Sequence, residues 1–314
     1  MQSDTMPDYS VVIPVYYNEG YITQMFDNLK TKVIDCNHDL SCEVIFVDDG
    51  SGDGSLDELL RLREKHPKLI KIIKFTRNFG QVSAMTAGFH KASGKCVVSI
   101  SADGQDPVEM INQMLDAFRE GVEVVVAARE DREESLFRVW TSRGFYKLMQ
   151  KLSFPNMPAG GFDFFLIGRR PLEAILGSRD TNPFIQGQIL WTGFPVKFLH
   201  YKRLKREVGE SRWSFGKKLT YLLDGIIAYS VAPIRLMSAV GGVVAFSGFF
   251  YAMIIIFQYL FWGNPIKGWA PIMVVLLLVS GLQLIMLGII GEYQWRTLSQ
   301  ARLRESYLID SIYE

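Results

Sequence analysis

The chain has 314 residues, of which 48% are hydrophobic, and its 34 basic side chains nearly cancel its 33 acidic ones, leaving a formal net charge of +1. Such a length leads one to expect about two domains, the apolar content excludes a disordered chain, and the balanced charge speaks against a nucleic-acid binder working through bulk positive charge. Cys36, Cys42 and Cys96 form neither a CxxC pair, nor a disulfide framework, nor zinc-finger spacing, and read as reduced thiols of a cytosolic domain.

The opening residues, MQSDTMPDYS, lack a basic stretch followed by an apolar one, so no export signal is expected for the N-terminal part. Strand-like runs then occur at Ser10 to Val15, Glu43 to Val47, Ile70 to Phe75, Cys96 to Ile100 and Val122 to Ala127. Helical patterns separate them at Ile22 to Val33, Leu56 to Lys65, Val82 to Ala92 and Val108 to Arg119. Ser55 with Glu58 fits a capping box at the second helix. The alternation predicts an α/β sandwich with a largely parallel sheet.

Ligands of such sheets sit beyond the carboxyl ends of the strands, and the segments that follow the strands here are polar: PVYYNEG, DDGSGDGS, TRNFG and SADGQDPVE. No GxGxxG follows the first strand. Gly88, Gly94 and Lys95 miss the phosphate-binding P-loop by one residue of spacing, and Cys96 stands where Ser or Thr is needed. His38, His66, His90 and His200 show no metal-ligand spacing.

Hydrophobicity concentrates near the C-terminus. From Leu236 to Gly291 the only charged side chain is Lys267, in GNPIKGW, and the runs on either side of it, Leu236 to Gly263 and Gly268 to Gly291, each exceed the ~20 residues that span a bilayer as a helix. Lys217, Lys218 and Arg235 precede the pair and Arg296, Arg302 and Arg304 follow it, so both ends are expected in the cytosol. Residues 214–230, with Phe215, Leu219, Leu222, Leu223, Ile226 and Ile227 near helical spacing, read either as an amphipathic helix on the membrane surface or as a helix packed on the soluble domain. The domains expected are therefore 1–213 (catalytic), 214–230 (interfacial), 231–291 (two membrane helices) and 292–314 (a cytosolic tail, read as a helix bracing a neighbouring subunit). Gly241, Gly242, Gly248, Gly281 and Gly288 suit close helix packing and a homo-oligomer.

VVIPVYYNEG, VDDGSGDGS, FTRNFGQVSAMTAGF and SADGQDPVEM, in that order, resemble the signatures of family 2 glycosyltransferases of GT-A fold. With GFDFFLIGRR, VGESRWSFGKK and the C-terminal hairpin, nearly the whole chain resembles the polyprenyl-phosphate glycosyltransferases, and within them the bacterial bactoprenol glucosyltransferases and aminoarabinosyl transferases. The resemblance implies inverting transfer of a sugar, glucose foremost, from a nucleotide-sugar donor, UDP-linked foremost, to undecaprenyl phosphate at the cytoplasmic face, with Mg²⁺ or Mn²⁺ as cofactor. It implies that Pro14, Tyr16, Asn18, Glu19, Asp48, Asn78, Gly80, Gln81, Ala102 and Asp103 hold the donor, and that Asp103 and Gln105 approach the cation. Arg129, Arg143, Ser211 and Arg212 would contact the lipid phosphate, and Asp103, Asp163 and Arg206 would serve catalysis.

The family usually shows DxD where this chain has Ser101, Ala102 and Asp103. One carboxylate with substrate phosphates and water can still hold a hard cation. Asp103 and Asp106 read either as metal-approaching acids or as caps of the helix near Pro107, and Asp49, Gly50 and Ser51 either as donor contacts or as a turn before the second helix. Two other readings are weighed. A processive polysaccharide synthase usually carries QxxRW, whereas Gln188 here leads into Ile189, Leu190 and Trp191; a catalytically silent nucleotide-binding scaffold would account for Ser101.

Overall fold

A computed structural model describes residues 6–129, 150, 157–158, 161–178, 184–202, 232–262, 269–302 and 305–314. Contacts divide the chain into two units, Met1–Gly225 with Arg304–Glu314, and Ile226–Leu303.

The first unit alternates β1 (Tyr9–Val15), α1 (Ile22–Leu29), β2 (Cys42–Asp48), α2 (Ser55–Lys65), β3 (Ile70–Phe75), α3 (Gln81–Lys91), β4 (Cys96–Ser99), α4 (Met110–Arg119) and β5 (Val124–Arg129). There follow β6 (Phe165–Gly168), α5 (Arg169–Gly177), α6 (Ile185–Trp191), β7 (Val196–Tyr201) and, at the end of the chain, β8 (Ile309–Tyr313). The first five strands and four helices lie where the sequence predicts them, within one to two residues at most ends. The exceptions are the first helix, whose α-helical part stops at Leu29 and continues as a π-helical turn over Lys30–Ile34, and the fifth strand, which starts and ends two residues late.

One sheet of eight strands runs in the order β7-β5-β6-β4-β1-β2-β3-β8. β1 pairs in parallel with β2 and β4, β2 with β3, and β5 with β7, while β6 is antiparallel to both β4 and β5. β1 to β5 and β7 therefore share one direction, and only β6 and β8 oppose it. The carboxyl ends of β1, β2, β4, β5 and β7 and the start of β6 consequently lie on one edge. The chain reverses its strand order between β1 and β4, the place where doubly wound sheets open a crevice.

Alternation along the strands sorts the core into two layers. Tyr9, Val11, Ile13 and Val15 of β1 join Ile22, Met25 and Phe26 of α1 and Ile111, Met114 and Leu115 of α4 on one face. Val12, with Ile45 and Val47 of β2, packs on Ala84 and Met85 of α3 and on Leu172 and Ile175 of α5 on the other. Being covered on both faces, β1 and β2 carry continuous apolar runs, as parallel strands do.

The C-terminal residues depart from expectation. Residues 292–301 continue the preceding long helix, but Ile309–Tyr313 are a strand paired antiparallel with β3. Tyr307 stacks on Phe75 with ring centroids 5.1 Å apart, and Lys74 meets Asp310 at 2.7 Å. This covers a sheet edge that would otherwise present unpaired N–H and C=O groups.

The second unit holds α7 (Ala232–Trp262) and α8 (Trp269–Ala301). Among the described residues, one stretch, Ile234–Tyr251, is long and apolar enough to cross a membrane, with mean hydropathy 1.5 and none of it buried. Large apolar side chains are exposed on both helices, among them Phe246, Phe249 and Leu260 on α7 and Leu284, Ile285 and Leu287 on α8. The helices touch at Gly241, where a Cβ would fall 2.9 Å from the Met286 methyl carbon; a Cβ at Gly242, Gly248, Gly281 or Gly288 would meet nothing within 4 Å. The interfacial segment 214–230 lies outside the described residues.

Candidate active site

Three turns at the carboxyl edge are fastened by side chains bonding to backbone across elements. In the turn after β1, the Tyr17 N–H donates to Ser51 Oγ (3.0 Å), the Asn18 N–H to Ser55 Oγ (2.9 Å) and the Gly20 N–H to Glu58 Oε2 (2.7 Å). Glu58 Oε1 also takes the N–H and hydroxyl of Thr23. The predicted capping box is thus absent. Gly54 is the N-cap of α2 and makes no side-chain cap bond, while Ser55 and Glu58 face the neighbouring loop and satisfy its donors instead. The first turn of α2 is acidic, with Asp57 and Glu58, which suits the positive end of the helix dipole.

The proposed donor residues divide by environment. Asn18 Oδ1 accepts the Tyr16 N–H at 2.9 Å, and Glu19 Oε2 accepts the Gly54 N–H at 3.0 Å, so both shape the loop. Tyr16 is exposed and stands edge-on to Tyr17, whose φ of +56° is rare for a residue with a side chain. Pro14 is the next-to-last residue of β1 and half-buried. Asp48 ends β2 fully buried; Oδ1 takes the Ser51 N–H at 3.1 Å, but Oδ2 has no hydrogen-bond partner among the described residues. Burial raises its pKa above the ordinary carboxylate value. An orphan buried acceptor costs free energy, and a ligand N–H or hydroxyl would satisfy it.

Asp49 holds the neighbouring turn, accepting the N–H of Phe79 (2.7 Å) and of Gly80 (2.9 Å). Of the two readings offered for this turn, the structure favours the structural one, although the partner is the turn after β3 rather than α2. Gly50 is needed here. Its φ is +68°, and a Cβ would sit 2.5 Å from the Arg77 carbonyl carbon. Asn78 is exposed, Gly80 (φ +98°) precedes α3, and Gln81 is its first residue.

After β4, Ala102 is buried and Asp103 half-buried; Asp103 Oδ1 accepts the Gln105 N–H at 3.1 Å, closing a tight turn through Gly104 at φ +63°. Among the described residues no three His, Cys, Asp or Glu side chains converge on a point. The donor set available is one carboxylate with a neighbouring amide, which fits a hard Mg²⁺ or Mn²⁺ completed by substrate phosphate oxygens and water. Asp106 is buried and hydrogen-bonded to the Tyr201 hydroxyl, not exposed at a helix start.

Beyond Tyr201 lies an ion pair. Arg129 Nε donates to the Tyr201 hydroxyl at 3.3 Å, and Nη2 reaches Asp163 Oδ2 at 3.1 Å. The other Asp163 oxygen accepts from Gln186 Nε2 at 3.2 Å, which also bonds the Phe162 carbonyl. Arg129 is 17% exposed and Asp163 46%. Burial works against the Arg129 cation, but Asp163, Tyr201 and Asp106 outweigh it and hold its pKa above the usual arginine value. Arg129 and Asp163, assigned separate roles from the sequence, are therefore partners. Arg143, Arg206, Ser211 and Arg212 lie outside the described residues.

Sequence reasoning missed Tyr201 and Gln186. The β-branched and aromatic residues of VKFLHY offer a strand signal for Tyr201 without a clean alternation, whereas Gln186 carries none.

Residues 10–176, more than half of the chain, match the family model for glycosyl transferase family 2. The chain belongs to that family. This glycosyltransferase is 37% identical over 97% of its length to an uncharacterized glycosyltransferase, YkcC, of Bacillus subtilis (strain 168), covering 94% of that protein. It is 33% identical over 96% of its length to the bactoprenol glucosyl transferase of Shigella phage SfV, covering 97% of it. Among solved structures, the mannosyltransferase PcManGT of Pyrobaculum calidifontis, in complex with GDP-Man and Mn²⁺, is similar with a TM-score of 0.52 at 18% identity, covering 96% of this chain and 86% of that one. That likeness supports the GT-A fold of the glycosyltransferase.

Proposed function

We propose that this glycosyltransferase transfers glucose, with inversion, from a UDP-linked donor to undecaprenyl phosphate at the cytoplasmic face of a membrane. The observation that carries this reading is the Arg129–Asp163 pair at the carboxyl edge of the sheet, joined through Tyr201 to the Asp103–Asp106 loop. It supports the reading because one hydroxyl links a guanidinium of the kind suited to an acceptor phosphate to the loop that carries Asp103, a carboxylate suited to a donor's cation. The bactoprenol glucosyl transferases among the relatives support the lipid acceptor and the sugar.

In the reaction, a phosphate oxygen of the acceptor attacks the anomeric carbon from the face opposite the nucleoside diphosphate. The bond from that carbon to the diphosphate oxygen breaks, and the configuration inverts. No protein base is required, because a phosphate monoester with second pKa near ~6 is largely ionised at neutral pH. Arg129 binds and orients the acceptor phosphate, Asp163 orients Arg129 and a sugar hydroxyl, and Asp48 accepts from the nucleoside. Asp103 and Gln105 would hold a divalent cation, which when bound would neutralise charge on the diphosphate leaving group. Arg206 serves catalysis with Asp103 and Asp163, and Arg143, Ser211 and Arg212 contact the acceptor phosphate with Arg129.

The exposed apolar side chains of α7 and α8 support two membrane spans. The basic flanks support a cytosolic catalytic domain with both termini on that side. Within this reading 1–213 is the catalytic domain, 214–230 the interfacial segment and 231–291 the membrane hairpin, while the expected separate tail 292–314 divides between the end of α8 and the edge strand β8 of the catalytic sheet.

Purified protein incubated with radiolabelled UDP-glucose, Mn²⁺ or Mg²⁺ and undecaprenyl phosphate should yield organic-extractable label. Absence of such label across a panel of UDP- and GDP-sugars would overturn the reading.

A further inference from the structure

Tyr201 and Arg129 are the last residues of two adjacent parallel strands and stand in register, so their side chains leave the sheet side by side. The Tyr201 ring is fixed against Phe164, edge-on at 6.1 Å, and the residue is only 5% exposed. Its hydroxyl donates to the buried Asp106 carboxylate and accepts from Arg129 Nε. Asp106 directly follows Gln105, whose N–H is bonded to Asp103 Oδ1, so it anchors the end of the loop that carries both. The Arg129 guanidinium is thus gripped at Nε by Tyr201 and at Nη2 by Asp163.

We propose that Tyr201 is a positioning residue that couples the cation-holding loop after β4 to the acceptor-binding Arg129, so that one hydroxyl sets the geometry of both halves of the reaction. In this proposal the buried Tyr201 acts through Arg129 and Asp106 rather than on a substrate. Burial and the adjacent Asp106 charge raise its pKa, so it stays a donor at every working pH. A guanidinium suits this position where an ammonium does not, because Lys lacks the second nitrogen that Tyr201 holds. The inference rests on the reading of Arg129 as an acceptor-phosphate group, and the test separates the two.

Tyr201→Phe keeps the ring and removes the bridging hydroxyl. In the full-length protein the expected result is a rise of about tenfold in the KM for undecaprenyl phosphate. Mn²⁺ binding in the presence of UDP, read from the free-ion EPR signal, should weaken several-fold, while UDP affinity without metal stays near that of the parent and the thermal midpoint falls modestly because the buried Asp106 loses a hydrogen bond. In an Arg129→Lys background, Tyr201→Phe should change the acceptor KM by less than about twofold, since the link is already gone. Asp106→Asn serves as a second variant and should also weaken Mn²⁺ binding and raise the acceptor KM. If Arg129→Lys raises the acceptor KM but Tyr201→Phe and Asp106→Asn leave both readouts unchanged, or their effects simply add to it, the coupling is overturned. An Arg129→Lys protein with an unaltered acceptor KM overturns the reading of Arg129 itself, and the coupling with it.

Discussion

The Asp49 carboxylate receives the backbone N–H of Gly80 at 2.9 Å, so a buried acid at the end of one strand fixes the turn after the next. With the Phe79 N–H on its other oxygen, Asp49 determines where Asn78, Gly80 and Gln81 stand in the crevice.

Replacing Asp49 by Ala should leave both donors unsatisfied and cost about 2–4 kcal/mol, measured by thermal or denaturant unfolding in detergent. Burial, partly offset by those bonds, pushes the Asp49 pKa up to about 6 from 3.8. The folded state thus holds the proton more tightly than the unfolded one, and this acid's contribution to stability falls as pH rises through the window from about 4 to 6. Asp49→Asn should flatten the loss of stability across that window; an unchanged slope would show that Asp49 does not titrate there.

Glu58 binds the N–H groups of Gly20 and Thr23 and the Thr23 hydroxyl. Glu58→Ala should loosen the turn that carries Tyr16 and Asn18. The expected signature is a donor KM raised about five- to tenfold with the acceptor KM unmoved, together with a stability loss of about 2 kcal/mol. Glu58→Gln, which keeps one acceptor oxygen, should fall between Ala and the parent.

Asp103 and Asp163 differ in surroundings and should differ in phenotype. Asp103→Asn should lower transfer by at least about a hundredfold and abolish the gain in UDP affinity that Mn²⁺ confers. Asp163→Asn should preserve that gain and lower single-turnover transfer by about tenfold or more, because it disturbs Arg129 instead. A full rate in Asp163→Asn with normal donor affinity would remove Asp163 from the mechanism.

Deletion of residues 305–314 removes β8 and bares the edge of β3. It also strips Tyr307 from Phe75 and Asp310 from Lys74. The truncated protein should melt at a lower temperature and aggregate through that edge, visible as a concentration-dependent shift in size-exclusion elution. Unchanged melting and elution would show that β8 contributes little to the fold.

Sequence by itself determined the α/β order, the parallel core strands and the apolar C-terminal runs, because these follow from period and composition, which are local. It also marked Asp49 and Asp103 as polar residues after strands and Asp48 at the end of one, while Asp163 stood out through the family resemblance alone. Only the tertiary structure decided what those acids touch. Ser55 and Glu58 have the spacing of a cap, yet in the folded chain the N–H groups within their reach belong to another loop. Arg129 and Asp163 are separated by 34 residues, and Tyr201 is further still from Asp106; nothing in local spacing reveals that β5, β6 and β7 are neighbours. The last strand was equally hidden, since a five-residue run acquires strand character only from an exposed edge to pair with. Hydrogen bonds and ion pairs depend on distances of a few ångströms between elements, and those distances are set by the order of strands in the sheet.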